Sequence, residues 1–588
     1  MKFRSLKKWK LDDSLCGMVF FSQKLSELLF DYSLDSYKPM ALNAPYLCKE
    51  ALGLIDDIEN NLIELKNLQY VIDELVWSIR NDKVAKSLLD IDLEKYTLDL
   101  DKTSLSQVKL RLEVLYQTLE PRKYLEKCTE MLKSAIYSCS KSEINSLTRL
   151  LITTTINTGV GKTHLFNKTN EFFYNGNAPE INSLSQIDEF LDLISPVIHD
   201  FDIFFICSPL VNEVKNSVKA FKIEIIDNLP DELQQFANDN NFTKNEDEVF
   251  IQVKGIRKFD CHSARDEGER RLDVLKDLFT LFYHKNQISW HEKTLLRQCC
   301  VDSPTIVSRS KSSMDKAFDL KPQRASKELN WLIRNLALKF GGSFKKFNRI
   351  VDLHGICVEN DVPENQLLNL WISIETLVPS EVGKNKINNV IRSIDPFIRL
   401  TYIKRLVDRF IADLMLWDSF VSRKILRKIL ELKGQPLHRK VTALLCVPEH
   451  ENLRKELYSE LKDFHLLRFR AFQLTELLQK PQNIKKLLDE HSQKVAWQIR
   501  RMYRTRNLIV HSGRTPKYIQ TLIENGHDYL DLILNEIMNL SCGEYKLQTI
   551  DQAFELESIL LQKYEKKLFG QDKFTNDTSI LVYHLNNA

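Results

Sequence analysis

The chain has little that interrupts a helix and no long apolar run. Its 588 residues include 16 glycines and 16 prolines, about 5% of the chain, whereas these two residues average about 12% in proteins. This scarcity excludes collagen-like and low-complexity classes and favours long helices. No segment approaches the roughly 18 uninterrupted apolar residues that span a bilayer, and no apolar stretch follows the basic N-terminus. We therefore expect a cytoplasmic protein with no secretory signal and no membrane partner.

Metal-binding and redox motifs are also missing. The 11 cysteines are scattered, and neither CxxC nor HExxH occurs, so the sequence predicts no metal site and no cofactor. We expect reduced, mostly buried thiols, as in cytosolic proteins. The 83 basic and 80 acidic residues leave a net charge of +3, which by itself predicts no partner. A surface for nucleic acid would require local segregation of charge.

The periodicity predicts three consecutive domains, the first a helical region over 1–195. From about residue 50, apolar residues recur at helical spacing on one stripe: Ile55, Ile58, Leu62, Leu65, Ile72 and Leu75. Nearby acidic residues predict a solvated acidic face: Asp56, Asp57, Glu59, Asp73 and Glu74. This region is a candidate sensor or regulatory part, and no residue in it indicates what it would sense.

The second segment, 196–320, is predicted to be a small α/β domain. Apolar and polar residues alternate over 221–225 and 249–253, which is typical of half-buried strands. A helix is expected over 264–284. Further strands are expected at 203–207, around 288–290 and at 305–307.

The third segment, 321–588, is predicted to be helical and is rich in basic residues. They fall in groups that include Lys321, Arg324 and Lys327, then Arg423, Lys424, Arg427 and Lys428, then Arg500, Arg501, Arg504, Arg506 and Arg514. The predicted fold class is therefore mainly α, with a small central α/β domain and a C-terminal helical bundle. The net charge is small because an acidic N-terminal part offsets a basic C-terminal part.

The segment TGVGKTHLF at 158–166 resembles a phosphate-binding loop but fails its spacing. The P-loop requires a glycine five residues before Gly161, where this chain has Ile156. The amides that hold a phosphate need the conformational freedom of that glycine. We instead predict that Gly159 and Gly161 end one helix and that Thr163 caps the next. A nucleotide-driven switch is accordingly disfavoured.

A candidate catalytic motif lies in the segment QIRRMYRTRNLIVHSG at 498–513. An arginine and a histidine four to six residues apart can support metal-free RNA cleavage, because imidazole moves protons near neutral pH and guanidinium holds a phosphate. Thirteen histidines give about two such pairs by chance at a background arginine usage of roughly 6%. The sequence contains three such pairs, Arg257…His262, Arg349…His354 and Arg506…His511, and Arg504 lies seven residues before His511. The roles of His262 and His354 stay open.

Arg506 and His511 differ from the other pairs in their surroundings. Asn507 follows the arginine and precedes His511 by four residues, so the amide and the imidazole share a helix face. Arg501 and Arg504 add positive charge to the same helix, which contacts with RNA phosphates require. The Ser-Gly pair directly after the histidine predicts that the helix ends there.

The RNxxxH pattern at 506–511, preceded by R-x-Y-R-x, resembles the signature of HEPN ribonucleases (higher eukaryotes and prokaryotes nucleotide-binding), particularly the ApeA-like bacterial branch. The segment LLNLWISIETLVPS at 367–380 is similar to the helix upstream of the motif in that branch. The resemblance covers mainly 322–545. It implies that the C-terminal segment is a HEPN-like bundle. It also implies a homodimer, because HEPN domains usually pair two motifs across one cleft.

The resemblance also implies the roles of the site residues. Arg506 would bind the scissile phosphate, Asn507 would orient the ring, and His511 would act as acid or base. Arg501 and Arg504 would support RNA binding. Glu375 lies on an apolar stripe of its helix, and it is either a satisfied buried carboxylate or a partner of Arg506 or His511.

Two functions follow as expectations. The first is a metal-independent endoribonuclease that cleaves RNA, such as tRNA or another structured RNA, by attack of the 2′-hydroxyl. Members of the family are often anti-phage defence or toxin effectors, and a fused region often restrains them until a trigger protein or ligand arrives. The alternative is a non-catalytic HEPN-type module that binds RNA or scaffolds a partner.

Overall fold

Over the residues that it describes, the computed structural model is mainly α-helical with one small sheet, as the sequence predicts, and the strands of that sheet are antiparallel. It describes residues 4–10, 12–29, 40–60, 63–96, 98–101, 103–175, 179–301, 303–315, 319–339, 342–380, 386–570, 574–575, 578 and 581. Over these ranges, no helix combines the length and the apolar character needed to cross a membrane.

The first helices precede the sheet. They are α1 Cys16–Leu29, α2 Ala44–Glu59, α3 Lys66–Asn81, α4 Lys83–Leu88, α5 Leu105–Thr118, α6 Pro121–Tyr137, α7 Lys141–Thr158, α8 Lys162–Phe173 and α9 Gln186–Leu193. The apolar stripe predicted for one helix lies on two, because α2 ends at Glu59 and α3 begins at Lys66. Ile55 and Leu75 are buried as expected, whereas Leu65 is exposed. Leu62 lies outside the described residues.

The central part contains the sheet. Its elements are β1 His199–Cys207, β2 Ile223–Ile226, α10 Asp231–Asp239, β3 Val249–Lys258, α11 Cys261–Thr280, β4 Lys293–Gln298 and β5 Thr305–Ser308. The strand order is β2-β3-β1-β4-β5, with every neighbouring pair antiparallel. The strand expected around 288–290 is wrong, since only Trp290 forms an isolated bridge and the strand begins at Lys293.

Alternation along β1 explains the two layers around the sheet. Phe201, Ile203 and Phe205 pack on one face, which α11 covers. Phe204 belongs to a second apolar cluster on the other face, with residues of α10. Gly268 lets α11 approach closely, because a methyl group there would lie 3.1 Å from Ile203 Cδ1.

The remaining helices follow the sheet. They are α12 Pro322–Asn335, α13 Gly342–Glu359, α14 Pro363–Leu377, α15 Lys386–Arg427, α16 Leu437–Cys446, α17 Glu451–Glu460, α18 His465–Leu478, α19 Pro481–Ser512, α20 Ile519–Cys542 and α21 Ile550–Phe569. Helix α15 breaks at Asp418, which has non-helical backbone angles. Its carboxylate accepts hydrogen bonds from the amides of Phe420 and Val421, so it caps the second half.

Two compact units result. The first comprises Met1–Thr153, Pro179–Leu184 and Ser313–Ala588, and the second comprises Thr154–Ala178 and Ser185–Ser312. They do not follow the consecutive segments 1–195, 196–320 and 321–588, because most N-terminal helices belong to the same unit as the C-terminal bundle. Helical periodicity shows which face of a helix is buried, but it does not show which helix covers that face.

Contacts between α1 and α18 show how the first unit is joined. The rings of Phe20 and Phe469 meet edge to face at 5.2 Å. The amide of Gln23 donates to the carbonyl of Asp463 and accepts from the backbone N–H of Leu466. The N-terminal helices are therefore packed into the unit that holds the C-terminal bundle.

Cys16 and Cys139 form a disulfide that links residues 123 positions apart. The expectation of reduced thiols is therefore wrong for this pair, because the fold brings the start of α1 beside the residues that follow α6. Buried thiols agree with the expectation at Cys48, Cys128 and Cys357.

The segment 158–166 connects two helices of the chain, as predicted. Helix α7 ends at Thr158 and α8 begins at Lys162, with Gly161 rather than Thr163 at the cap position. The backbone N–H of Gly161 donates to a carboxylate oxygen of Asp260 at 2.8 Å. A carboxylate thus accepts the hydrogen bond that a phosphate-binding loop would offer to its ligand.

Candidate functional site

Helix α19 carries the whole predicted motif. It begins with Pro481 at its first position and ends at Ser512. Gly513 follows in the left-handed conformation, with φ of 62°, and its N–H donates to the carbonyl of Ile509. Glycine adopts this conformation without strain, so it ends the helix. The helix end predicted directly after His511 is confirmed.

Arg506, Asn507 and His511 lie near this C-terminal end. Arg506 and Asn507 are half-buried and His511 is exposed. Arg506 Nη1 donates to Asn507 Oδ1 at 3.0 Å, so the two side chains lie together. Within the described part of the chain, the exposed His511 ring has no hydrogen-bond partner, so the predicted bond from Asn507 to the ring is not formed in this structure.

Arg501 and Arg504, predicted to support RNA binding, lie in the interior. Arg501 is fully buried, and its Nη2 contacts Glu50 Oε2 at 3.0 Å and Glu74 Oε2 at 2.5 Å. Arg504 Nη2 contacts Glu50 Oε1 at 2.9 Å. In this structure neither guanidinium is accessible to a phosphate, because both are neutralised by carboxylates from α2 and α3.

The buried cluster is electrostatically balanced around Glu50. Burial disfavours its charged form, but the neighbouring charges of Arg501 and Arg504 outweigh burial and lower the pKa of Glu50 to about 2. Burial raises the pKa of Glu74, even though Arg501 opposes the shift. The same two carboxylates raise the pKa of Arg501 against its burial. Arg501 therefore stays charged and holds α2 and α3 against α19.

The acidic face expected on the N-terminal region is therefore only partly solvated. Glu74 is buried, and Asp57 contacts Arg514 Nη2 at 2.8 Å. Asp56 and Glu59 remain at the surface, where both contact Lys109. Part of the charge segregation along the sequence is thus a pairing of the N-terminal helices with Arg501 of α19 and with Arg514, just beyond its end.

Glu375 is not a partner of the motif. Its carboxylate forms an ion pair with Lys386 at the start of α15 and is partly exposed. Helix α14 does pack against α19, with the rings of Trp371 and Tyr503 5.5 Å apart. The two predicted elements are therefore in contact, but the carboxylate points elsewhere.

Sequence reasoning missed two sets of residues. Glu50 lies 451 positions before Arg501, and no local pattern connects them. The other set consists of His354 on α13 with His527 and Asp531 on α20, whose ligating atoms lie within 4.8 Å of one another. The spacing of four between His527 and Asp531 is its only local signal, since such residues share a helix face.

Comparison of the chain with protein-family models, with curated proteins and with solved structures found no match in any of the three. The function proposed for this chain therefore rests on the geometry of the residues at the end of α19.

Proposed function

We propose that the chain is a metal-independent endoribonuclease whose catalytic residues are Arg506, Asn507 and His511. The observation that carries this proposal is the division of charge along α19. Arg501 and Arg504 form ion pairs with buried carboxylates. Arg506 and His511 lie near the end of the helix and form no ion pair with the described residues. The outer pair is thus available to a substrate.

The chemistry assigns one role to each side chain. The Arg506 guanidinium binds the scissile phosphate and offsets the negative charge that develops on it. The His511 imidazole transfers a proton to or from the reacting oxygens. Asn507 holds the guanidinium through its Oδ1. The 2′-hydroxyl attacks the phosphorus, the bond to the 5′-oxygen breaks, and the products end in a 2′,3′-cyclic phosphate and a 5′-hydroxyl.

A single motif is half of the proposed cleft. Arg506 and His511 are five residues apart, which at about 100° per residue directs them to sides of the helix about 140° apart. A second copy of the chain would supply the complementary residues, so we propose a homodimer. Light scattering should show twice the monomer mass of 68.9 kDa. A monomer that cleaves RNA would contradict the composite cleft.

The proposed biological setting is defence or toxicity under control of the N-terminal helices. Its support is the cluster that joins α2 and α3 to α19 through Glu50, Glu74 and Arg501. A trigger that alters these helices would act on the helix that carries the motif. A cytoplasmic location remains a prediction.

The test is cleavage of total tRNA and of a labelled single strand in EDTA. Wild type, Arg506→Ala and His511→Ala are compared with two exposed controls, Arg324→Ala and His284→Ala. We expect both motif variants to lose cleavage at least about 100-fold, since acid–base catalysis contributes about 10² to 10⁴. The controls should cut like wild type, and the products should carry 5′-hydroxyl ends.

Other outcomes exclude the assignment. Equal cleavage by all five proteins would locate the activity elsewhere or in a contaminant. Strict dependence on magnesium would contradict the metal-free mechanism. RNA binding without cleavage, retained in His511→Ala, would favour the non-catalytic RNA-binding module.

A further inference from the structure

Three side chains with metal-binding chemistry converge from two helices of the first unit. His354 Nε2 on α13 lies 3.0 Å from His527 Nε2 on α20. The carboxylate of Asp531, one turn further along α20, faces both rings, with Oδ1 3.2 Å from His354 Nε2 and Oδ2 3.3 Å from His527 Nε2. We propose that these three residues bind one divalent transition-metal ion of the zinc class, with a fourth coordination position open to solvent.

The separations suit a tetrahedral ion. Zinc binds imidazole nitrogen and carboxylate oxygen at about 2.0 to 2.2 Å, so two ligands of a tetrahedral site lie about 3.3 Å apart. The separations of 3.0, 3.2 and 3.3 Å are close to that value, the last two measured to different oxygens of Asp531. One ligand atom from each residue lies within 4.8 Å of the other two, so small rotations of the side chains would bring all three around one ion.

The two rings lie within hydrogen-bond distance of each other, with His354 Nε2 3.0 Å from His527 Nε2. In such a bond one ring donates and the other accepts, so the accepting nitrogen presents its lone pair beside a carboxylate oxygen of Asp531. A cation at the centre is attracted to the carboxylate and to the nitrogen lone pairs of both neutral rings at once.

The fold holds the ligands in place and leaves one side open. His527 and Asp531 are four residues apart, so they share a face of α20. Helix α20 approaches α19 closely beside this site, since a methyl group on Gly526 would lie 2.5 Å from Met502 Cε. The exposed fractions of the His527, Asp531 and His354 side chains are 6%, 17% and 28%. His354 is therefore the side from which an ion and a water ligand can enter.

The ligand types select the class of metal. Two imidazoles and one carboxylate suit zinc and its first-row neighbours, whereas magnesium and calcium prefer oxygen ligands. The ion would join α13 to α20, whose ligands are 173 positions apart in the sequence. A link of this length stabilises the folded chain whenever the metal is bound.

The site is separate from the proposed RNA motif and does not rest on it. Met502, which contacts α20 beside His527, is nine residues before His511. At 1.5 Å per residue this is about 13 Å along α19. The proposed ion therefore has no part in proton transfer by His511, and its test uses no RNA.

The experiment measures metal binding by the full-length, untagged chain. Protein stripped with EDTA and dialysed is titrated with Zn²⁺ by calorimetry and with Co²⁺ by visible absorption, in which tetrahedral cobalt gives an intense band. Wild type is compared with His354→Gln and Asp531→Asn. His284→Gln, an exposed histidine of the other unit, is the matched control. Circular dichroism verifies that each variant is folded.

We expect one equivalent of Zn²⁺, a tetrahedral Co²⁺ spectrum and a higher midpoint of thermal unfolding with Zn²⁺ present. Both ligand variants should weaken Zn²⁺ binding more than about 100-fold, since changes in the outer shell of a site already cost 10- to 100-fold. The control should bind as wild type does. The proposal is overturned if wild type binds no Zn²⁺, or if both ligand variants bind it as tightly as wild type.

Discussion

Replacing Glu50 with glutamine should weaken the packing of α19 against the N-terminal helices. The amide keeps the shape of the side chain but removes the charge that Arg501 and Arg504 share. Arg501 keeps Glu74, whereas Arg504 loses the only ion pair that it makes with the described residues. The buried cluster then changes from two positive and two negative charges to a net charge of +1.

The size of the effect follows from the pKa shift of Glu50 and from the cost of leaving a buried charge without its partner. The fall in the pKa of Glu50 from 4.5 to about 2 corresponds to on the order of 3 kcal/mol of folding free energy, at about 1.4 kcal/mol per pH unit. Removing one partner of a buried ion pair costs about 3–5 kcal/mol, because the other charge stays buried. We expect Glu50→Gln to lower the free energy of unfolding of this unit by about 3–5 kcal/mol.

The predicted effect also has a pH dependence. The pKa of Glu50 is lower in the folded chain than in the unfolded chain, so its contribution is complete above about pH 4.5 and is lost as the pH falls toward about 2. Wild type and Glu50→Gln should therefore converge in stability over that interval. At pH 7 the difference should be at its full size.

Hydrogen exchange in increasing urea is the suitable assay, because two compact units need not unfold together. Exchange in peptides from α2 and α19 gives the free energy of opening of their contact. The matched control is Glu59→Gln on the surface of α2, where the solvent-exposed ion pair with Lys109 contributes little to stability. If Glu50→Gln changes the opening free energy no more than this control does, the cluster does not hold the helices together.

Two further predictions concern packing and a buried carboxylate. Gly17→Ala should destabilise the chain by about 1–3 kcal/mol or more, because the new methyl group would lie 2.1 Å from the backbone oxygen of Ile136. Gly53→Ala, whose methyl group would meet nothing within 4 Å, should stabilise it by up to about 1 kcal/mol, as urea unfolding would show. Burial raises the pKa of Glu557 to about 8, so its charging opposes folding progressively from about pH 4.5 and fully above about pH 8. Glu557→Gln should therefore raise stability at pH 9 by up to about 5 kcal/mol and have little effect near pH 4.5, whereas the exposed Glu555→Gln should shift the thermal midpoint at neither pH.

Local patterns predicted the elements well where one periodicity dominates. Alternation identified β2 and β3, and the Ser-Gly pair after His511 identified the end of α19. Because the P-loop glycine is missing, we interpret 158–166 as a break between two helices, and the structure has that break. These features depend on backbone preferences within a few residues, which is why the sequence is sufficient for them.

Pairings over long distances could not be predicted in the same way. The sequence indicated that Arg501 and Glu74 are charged, but a charge pattern does not tell whether a side chain faces water or a partner 427 positions away. For this reason the expected acidic face is only partly solvated, and Arg501 and Arg504 lie in the interior instead of on an RNA-binding surface.

The amino-acid sequence by itself determined the helical class, the presence of a small sheet and the positions of Arg506, Asn507 and His511 near the end of one helix. Only the tertiary structure decided which arginines of that helix remain at the surface, and that His354 meets His527 and Asp531. The physical reason is that periodicity is a property of a local stretch of chain. Burial, ion pairing and ligand geometry instead depend on which distant helices pack together.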